Sequence, residues 1–144
     1  MSTVPFIKEI VVDAPPSRVW EAITDKEQMK EWYFDIAEFK PEVGFGFEFT
    51  AGDGSNQYRH ICKVTEVIPE KKLSYTWKYD MDPGVSHVIF ELIPEDGKTR
   101  VRLTHEGLDN FSPDNPALAK ENFAAGWEAI IGKNLKNYVE IKRS

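Results

Sequence analysis

The sequence predicts an α+β domain in which a curved antiparallel sheet of about seven strands wraps around one long C-terminal helix. Three observations carry this expectation. An Ile/Val-rich first strand is cut off by Pro15-Pro16 and followed by two short helical patterns. Residues 39–106 alternate apolar and polar side chains, with turn signals at regular intervals. From Pro116 nearly to Arg143 the apolar residues recur with the helical period.

Taken in order, Phe6 to Val12 reads as a strand because β-branched residues pack well on a pleated surface, and it stops where two prolines cannot join a ladder. Proline suits the first turn of a helix, where its missing N–H had no partner. Ser17 to Thr24 therefore reads as a short helix with Val19, Trp20 and Ile23 on its apolar side. Asp25 has Gln28 three residues on, the spacing of a capping box, and opens a second helix that ends near Trp32.

Between the turn signals Pro41–Gly44, Gly52–Asn56, Pro69–Lys72, Asp80–Gly84 and Pro94–Gly97 lie the runs of a meander. Phe45, Phe47 and Phe49 share one face of their strand. Leu73, Tyr75, Trp77 and Tyr79 share one face of another, with Ser74, Thr76 and Lys78 opposite. Asp96-Gly97 has the composition of a two-residue hairpin turn. That turn sets Glu95 against Lys98, Phe90 against Leu103 and Val88 against His105, so His105 points inward. After an irregular stretch, Leu108 to Asn115, Asn115 can cap a helix that Pro116 begins. At 100° per residue Phe123, Ala124, Trp127, Ile131, Leu135, Tyr138 and Ile141 fall on its apolar side, which is expected to lie on the sheet.

The 144 residues carry no repeat, low-complexity segment or linker, so one domain spanning 1–144 is expected. A chain of that length buries roughly 68–70% of its unfolded surface and needs no staple. The single cysteine, Cys62, cannot form an internal disulfide, and no basic-then-apolar leader or run of about 20 apolar residues occurs, so a cytoplasmic protein without membrane insertion is expected. With a net charge of -6 and basic residues scattered singly or in pairs, nucleic acid is not an expected partner. No cofactor is expected: the glycines at 44, 46, 52 and 54 are not followed by Gly-Lys-Ser/Thr, and the three histidines share no metal-ligand spacing. Cys62 or a serine could be a nucleophile only beside a histidine and a carboxylate, and no Gly-x-Ser-x-Gly elbow is present.

Four Trp, five Tyr and nine Phe are a heavy aromatic load. Phe47, Phe49, Tyr75, Trp77 and Tyr79 from the strands, with Trp127 and Tyr138 from the helix, either fill a core or line a pocket. Taken singly each ring reads as core, but several inward Tyr and Trp need hydrogen-bond partners that a closed aliphatic core does not offer. The expected cavity set adds Val88, Phe90, Leu103 and His105 on the sheet side and Phe123 and Ile131 on the helix side. His105 is a ligand-contacting or acid–base group if functional, and a hydrogen-bonded core residue if not. Glu106 and Glu128 read as solvated or ion-paired surface carboxylates, and no residue is assigned a catalytic role.

The motifs Ala14-Pro-Pro-Ser-Arg-Val-Trp-Glu-Ala-Ile-Thr-Asp25, Trp32, Leu73-Ser-Tyr-Thr-Trp77, Thr104-His-Glu-Gly107 and Gly126-Trp-Glu-Ala-Ile-Ile131 follow one another in an order that resembles a known family. It is that of proteins similar to the C-terminal domain of the activator of the ninety-kilodalton heat-shock protein's ATPase, within the START-like or SRPBCC superfamily of helix-grip folds related to birch pollen allergen. Leu108 to Pro116 and Gly44-Phe-Gly-Phe47 depart from the usual pattern at what would be the cavity mouth. The resemblance implies three functions: binding of a small hydrophobic or aromatic ligand such as a lipid, polyketide or flavonoid, an enzyme acting on such a ligand with His105 and an inward tyrosine as acid and base, or a co-chaperone whose partner is the heat-shock protein. The inward rings favour the first.

Overall fold

The computed structural model describes residues 6–32, 39–53, 56–79, 82–107 and 126–141. The strands are β1 (Phe6–Val12), β2 (Gly46–Asp53), β3 (Asn56–Ile68), β4 (Lys72–Tyr79), β5 (Asp82–Glu95) and β6 (Lys98–Glu106). Helices α1 (Pro16–Thr24) and α2 (Lys26–Trp32) follow β1, and the C-terminal helix α3 is described over 126–141. All six strands form one antiparallel sheet in the order β1-β6-β5-β4-β3-β2. The described residues thus hold one strand fewer than the seven expected. Phe39 and Lys40, before Pro41, are not a strand; the chain there makes turns, Glu42 N–H donating to Lys40 O and Phe45 N–H to Glu42 O, before Gly44 N–H reaches Val64 O.

The hairpin register follows from its turn. Asp96 and Gly97 both have positive φ, 50° and 80°, as the tight turn of a right-twisted hairpin requires. Glu95 faces Lys98, Phe90 faces Leu103 and Val88 faces His105, as the sequence predicts. Replacing Gly97 by Val should lower stability by about 1–2 kcal/mol, because a β-branched side chain is strained at that φ although open space surrounds it. Thermal unfolding of G97V beside G97N separates strain from packing, since Asn tolerates the same conformation; equal losses would contradict this reading.

The short helices are tied down by specific polar groups. Asp25 does cap α2, its carboxylate accepting from Glu27 N–H at 3.1 Å. The reciprocal half of the expected capping box is absent: Asp25 N–H donates to Glu21 O, and the Gln28 amide donates to Asp25 while its oxygen accepts from Arg18 at 2.6 Å. The Trp32 indole N–H donates to Ala22 O at 2.8 Å, so a buried ring locks α2 to α1.

The inner face of the sheet carries the core. Leu73, Tyr75, Trp77 and Tyr79 of β4 are all buried, as are Ser86, Val88, Phe90 and Leu92 of β5 and Val101, Leu103 and His105 of β6. On the outer face Ser74 is buried rather than exposed. A bulge between Val64 and Glu66 brings Thr65 over it, and Thr65 Oγ1 lies 2.8 Å from both Ser74 Oγ and His87 Nε2. Glu9 on β1 reaches Arg100 and Arg102 on β6, and the Arg102 hydrogen bond chiefly holds its carboxyl below the usual range.

Helix α3 closes the inner side, and it is not α-helical throughout. Ile130–Leu135 is a π turn, followed by α-helix over Lys136–Ile141. Trp127, Ile131, Leu135 and Val139, each four residues apart, are buried. A four-residue step overruns an α-turn by about 40°, and the looser π turn takes up that excess. Val139 is thereby rotated into the core, and Tyr138, expected inside, sits at its edge under the Arg18 guanidinium, 5.1 Å from the ring centre. The helix is held to the β1 side by Lys8–Glu128 at 2.9 Å and by Asp13 N–H donating to Glu140 at 2.9 Å.

Candidate functional site

Along β4 the inner face changes character. At the Leu73 end the walls are aliphatic and shut: Val101, Leu103, Ile131, Leu135 and Val139 are 0% exposed. Toward Tyr79 they become aromatic and polar, and the interior keeps some accessible surface: 4% at Phe47, Phe49, Trp77 and Tyr79, 3% at Trp127 and 6% at His60.

Trp77 is the hub of this end. Its ring lies 5.8 Å from Phe49, 5.0 Å from His60, 5.4 Å from His105 and 5.6 Å from Trp127 between centres, mostly edge-to-face. The His60 imidazole stacks on Phe49 at 4.5 Å and 8°, a pairing set by their opposition in the β2–β3 ladder. Phe47 meets Tyr75 edge-on at 5.1 Å, and Phe90 meets Trp127 at 6.3 Å. Offset and edge-to-face geometries are the favourable ones for rings.

The polar tips are ordered with a definite direction. An indole N–H only donates, so in the 3.0 Å contact between Trp127 Nε1 and His105 Nδ1 the imidazole nitrogen accepts. The His105 proton is then on Nε2, which donates to Ser86 Oγ at 2.7 Å, and Ser86 donates to Trp77 O at 3.2 Å. His105 is fully buried and neutral; burial, with a smaller contribution from His87, pushes its pKa down to about 3. Close by, Trp77 Nε1–H donates to the Tyr79 hydroxyl at 2.9 Å. Burial pushes the Cys62 thiol well above its ordinary range, so the thiolate needed for nucleophilic attack is suppressed.

Of the sequence-derived set, the structure brings together Phe47, Phe49, Tyr75, Trp77, Tyr79, Val88, Phe90, Leu103, His105, Trp127 and Ile131 in one core. Tyr138 stands apart at the edge, and Phe123 lies outside the described residues, as do Leu108–Asn115 and the Asn115 cap. His60 was not in the set. It alternates with Cys62 and Val64 along β3, and that period-two pattern is the signal that places it inward. Glu106 faces outward beside His87, and Glu128 outward against Lys8.

A curved antiparallel sheet closed by a terminal helix over an aromatic inner wall defines a helix-grip protein of the START-like class. Within that class the chain belongs to the family of Activator of Hsp90 ATPase homolog 1-like proteins, whose model matches residues 13–140. Among solved structures it is similar to protein MLL2253 from Mesorhizobium loti, with 30% identity, a TM-score of 0.81 and coverage of 96% of this chain and 98% of that one. Protein CV1439 from Chromobacterium violaceum is 25% identical with a TM-score of 0.79, covering 94% and 96%. DynU16, a protein of the dynemicin biosynthetic locus, shares the fold at 23% identity and a TM-score of 0.77; the match covers 94% of this chain and 47% of DynU16, so the chain spans about half that protein's length. No curated protein matches the chain. Among the described residues no helix is long and apolar enough to cross a membrane.

Proposed function

We propose that the chain binds a small hydrophobic or aromatic molecule at the Tyr79 end of the space between sheet and helix. The observation that carries this reading is the gradient along the inner face. Residual interior surface gathers at Phe47, Phe49, His60, Trp77, Tyr79 and Trp127, while the aliphatic end is closed. A pocket lined by rings with a few convergent polar groups is the usual form of a small-molecule site. Both nitrogens of His105 are engaged within the protein, which favours binding over acid–base catalysis by that residue.

The test is a titration with flavonoids, fatty acids and aromatic polyketides, the last chosen for the fold shared with DynU16. Intrinsic fluorescence and amide shifts are followed, with Trp77→Phe and Trp127→Phe assigning the signal. Saturable quenching that either variant diminishes is expected. If no compound perturbs Trp77 or Trp127, the reading fails. The family's description supports a second reading, a chaperone partner engaged through the surface; stimulation of a heat-shock protein's ATPase by the chain, undiminished in Trp77→Phe, would favour it.

A further inference from the structure

The walls and charges of the Tyr79 end also restrict what it accepts, an inference that rests on the binding reading above. The space is short. Beyond Trp77 the interior closes on Val88, Leu103, Ile131 and Leu135, all without accessible surface, so no slot runs down the sheet to take an extended acyl chain. What borders the space is ring edges and faces, Phe49 and His60 lying stacked and Trp77 standing nearly perpendicular to both at 75° and 83°. Flat surfaces of that kind match a flat guest.

The polar groups there are neutral. His105 is fixed as the uncharged tautomer because Trp127 donates to its Nδ1, and its proton is directed to Ser86 rather than into the space. Tyr79 receives the Trp77 N–H on its oxygen, so its own O–H is turned away from Trp77 and can meet an acceptor. The inward lysine among the described residues, Lys8, stands on the edge strand β1, where Glu128 neutralises it at 2.9 Å. An ionised carboxylate entering the Tyr79 end would lose its hydration without gaining a cation, whereas a phenol or ketone oxygen needs only one neutral hydrogen bond.

We infer that the ligand is a planar aromatic molecule without net charge, carrying a hydroxyl or carbonyl oxygen at its edge, and that carboxylates, fatty acids included, are excluded by the neutral walls. Four probes of graded chemistry test this at pH 7 by calorimetry and amide shifts: 2-naphthol, naphthalene, 2-naphthoate and dodecanoate. 2-Naphthol should bind about tenfold or more tightly than 2-naphthoate and dodecanoate, and severalfold more tightly than naphthalene. Tyr79→Phe, checked for an unchanged melting temperature, should erase the advantage of naphthol over naphthalene.

Binding of 2-naphthoate or dodecanoate as tight as that of 2-naphthol would overturn the charge rule and leave the binding reading standing. Naphthol no better than naphthalene would overturn the edge oxygen. If none of the four shifts any resonance of the Trp77 or Trp127 side chains, the inference falls together with the reading it rests on.

Discussion

Replacing Trp127 by Ala should lower the unfolding free energy by about 3–5 kcal/mol, the cost of removing a large buried ring with incomplete collapse of its site. Trp127 is 3% exposed, touches Trp77, Phe90 and His105, and supplies the proton that His105 Nδ1 accepts. Domains of this size have only about 5–15 kcal/mol in total, so the variant should stand near the limit of folding. Trp127→Phe separates the two contributions. It keeps a ring against the sheet but leaves the buried nitrogen without its donor, for which about 1–3 kcal/mol is expected. Urea unfolding of both variants checks the pair. Losses of similar size would mean that the hydrogen bond, and not the packed ring, anchors α3 to the sheet.

The second large effect is a loss of stability in mild acid. The His105 pKa is about 3 in the folded protein and 6.5 for a free imidazole, so on acidification the unfolded chain takes up this proton first. The contribution is therefore fully present above pH 6.5, falls as pH drops below that value, and is fully lost once pH passes the folded value near 3. Within the window the folding constant declines about tenfold per pH unit, roughly 1.4 kcal/mol, from this group alone. Protonation cannot be absorbed in place. An imidazolium would point an N–H from Nδ1 at the Trp127 N–H, two donors facing each other.

His105→Gln provides the control, because a carboxamide can accept from Trp127 and donate to Ser86 without titrating. Between pH 5 and 6.5, above most carboxylate titration, chemical unfolding of H105Q should show a flatter pH profile than the wild type. An equal slope in both proteins would assign the acid sensitivity to other groups. The same result bears on function. A histidine held neutral and engaged on both nitrogens orders Trp127, Ser86 and Trp77 rather than serving as a proton donor.

How far these features could be read from the chain depends on the range of the forces that set them. His105 was legible as an inward residue because a two-residue turn at Asp96-Gly97 pins the register, and a period of two then assigns every side chain of β5 and β6 to a face. The aromatic face of β4 was legible for the same reason. His60 was harder: its strand pairs through a bulge at Val64/Glu66 and opposes β2 across a connection that carries no simple turn signature. Ser74 obeys the alternation and still is buried, since the bulge lays Thr65 and His87 over it. The direction of each hydrogen bond in the Trp127–His105–Ser86 chain depends on which donors meet in space, and spacing along the chain says nothing of that.

By itself, then, the sequence determined the elements, their order, the hairpin register and the inward ring set, because alternation, proline placement and turn residues act over a few neighbours. Tertiary structure alone decided the turn of the last helix. Projected at a uniform 100° per residue, Tyr138 belongs to the apolar side, yet the π turn at Ile130–Leu135 rotates Val139 into that place and sends Tyr138 to Arg18. A helix can carry such a turn only where packing against the sheet outweighs its poorer local hydrogen bonding, and that balance exists only once β1 to β6 are assembled beneath it. The same assembly made an aromatic, uncharged end out of residues that the sequence shows only as a list of rings.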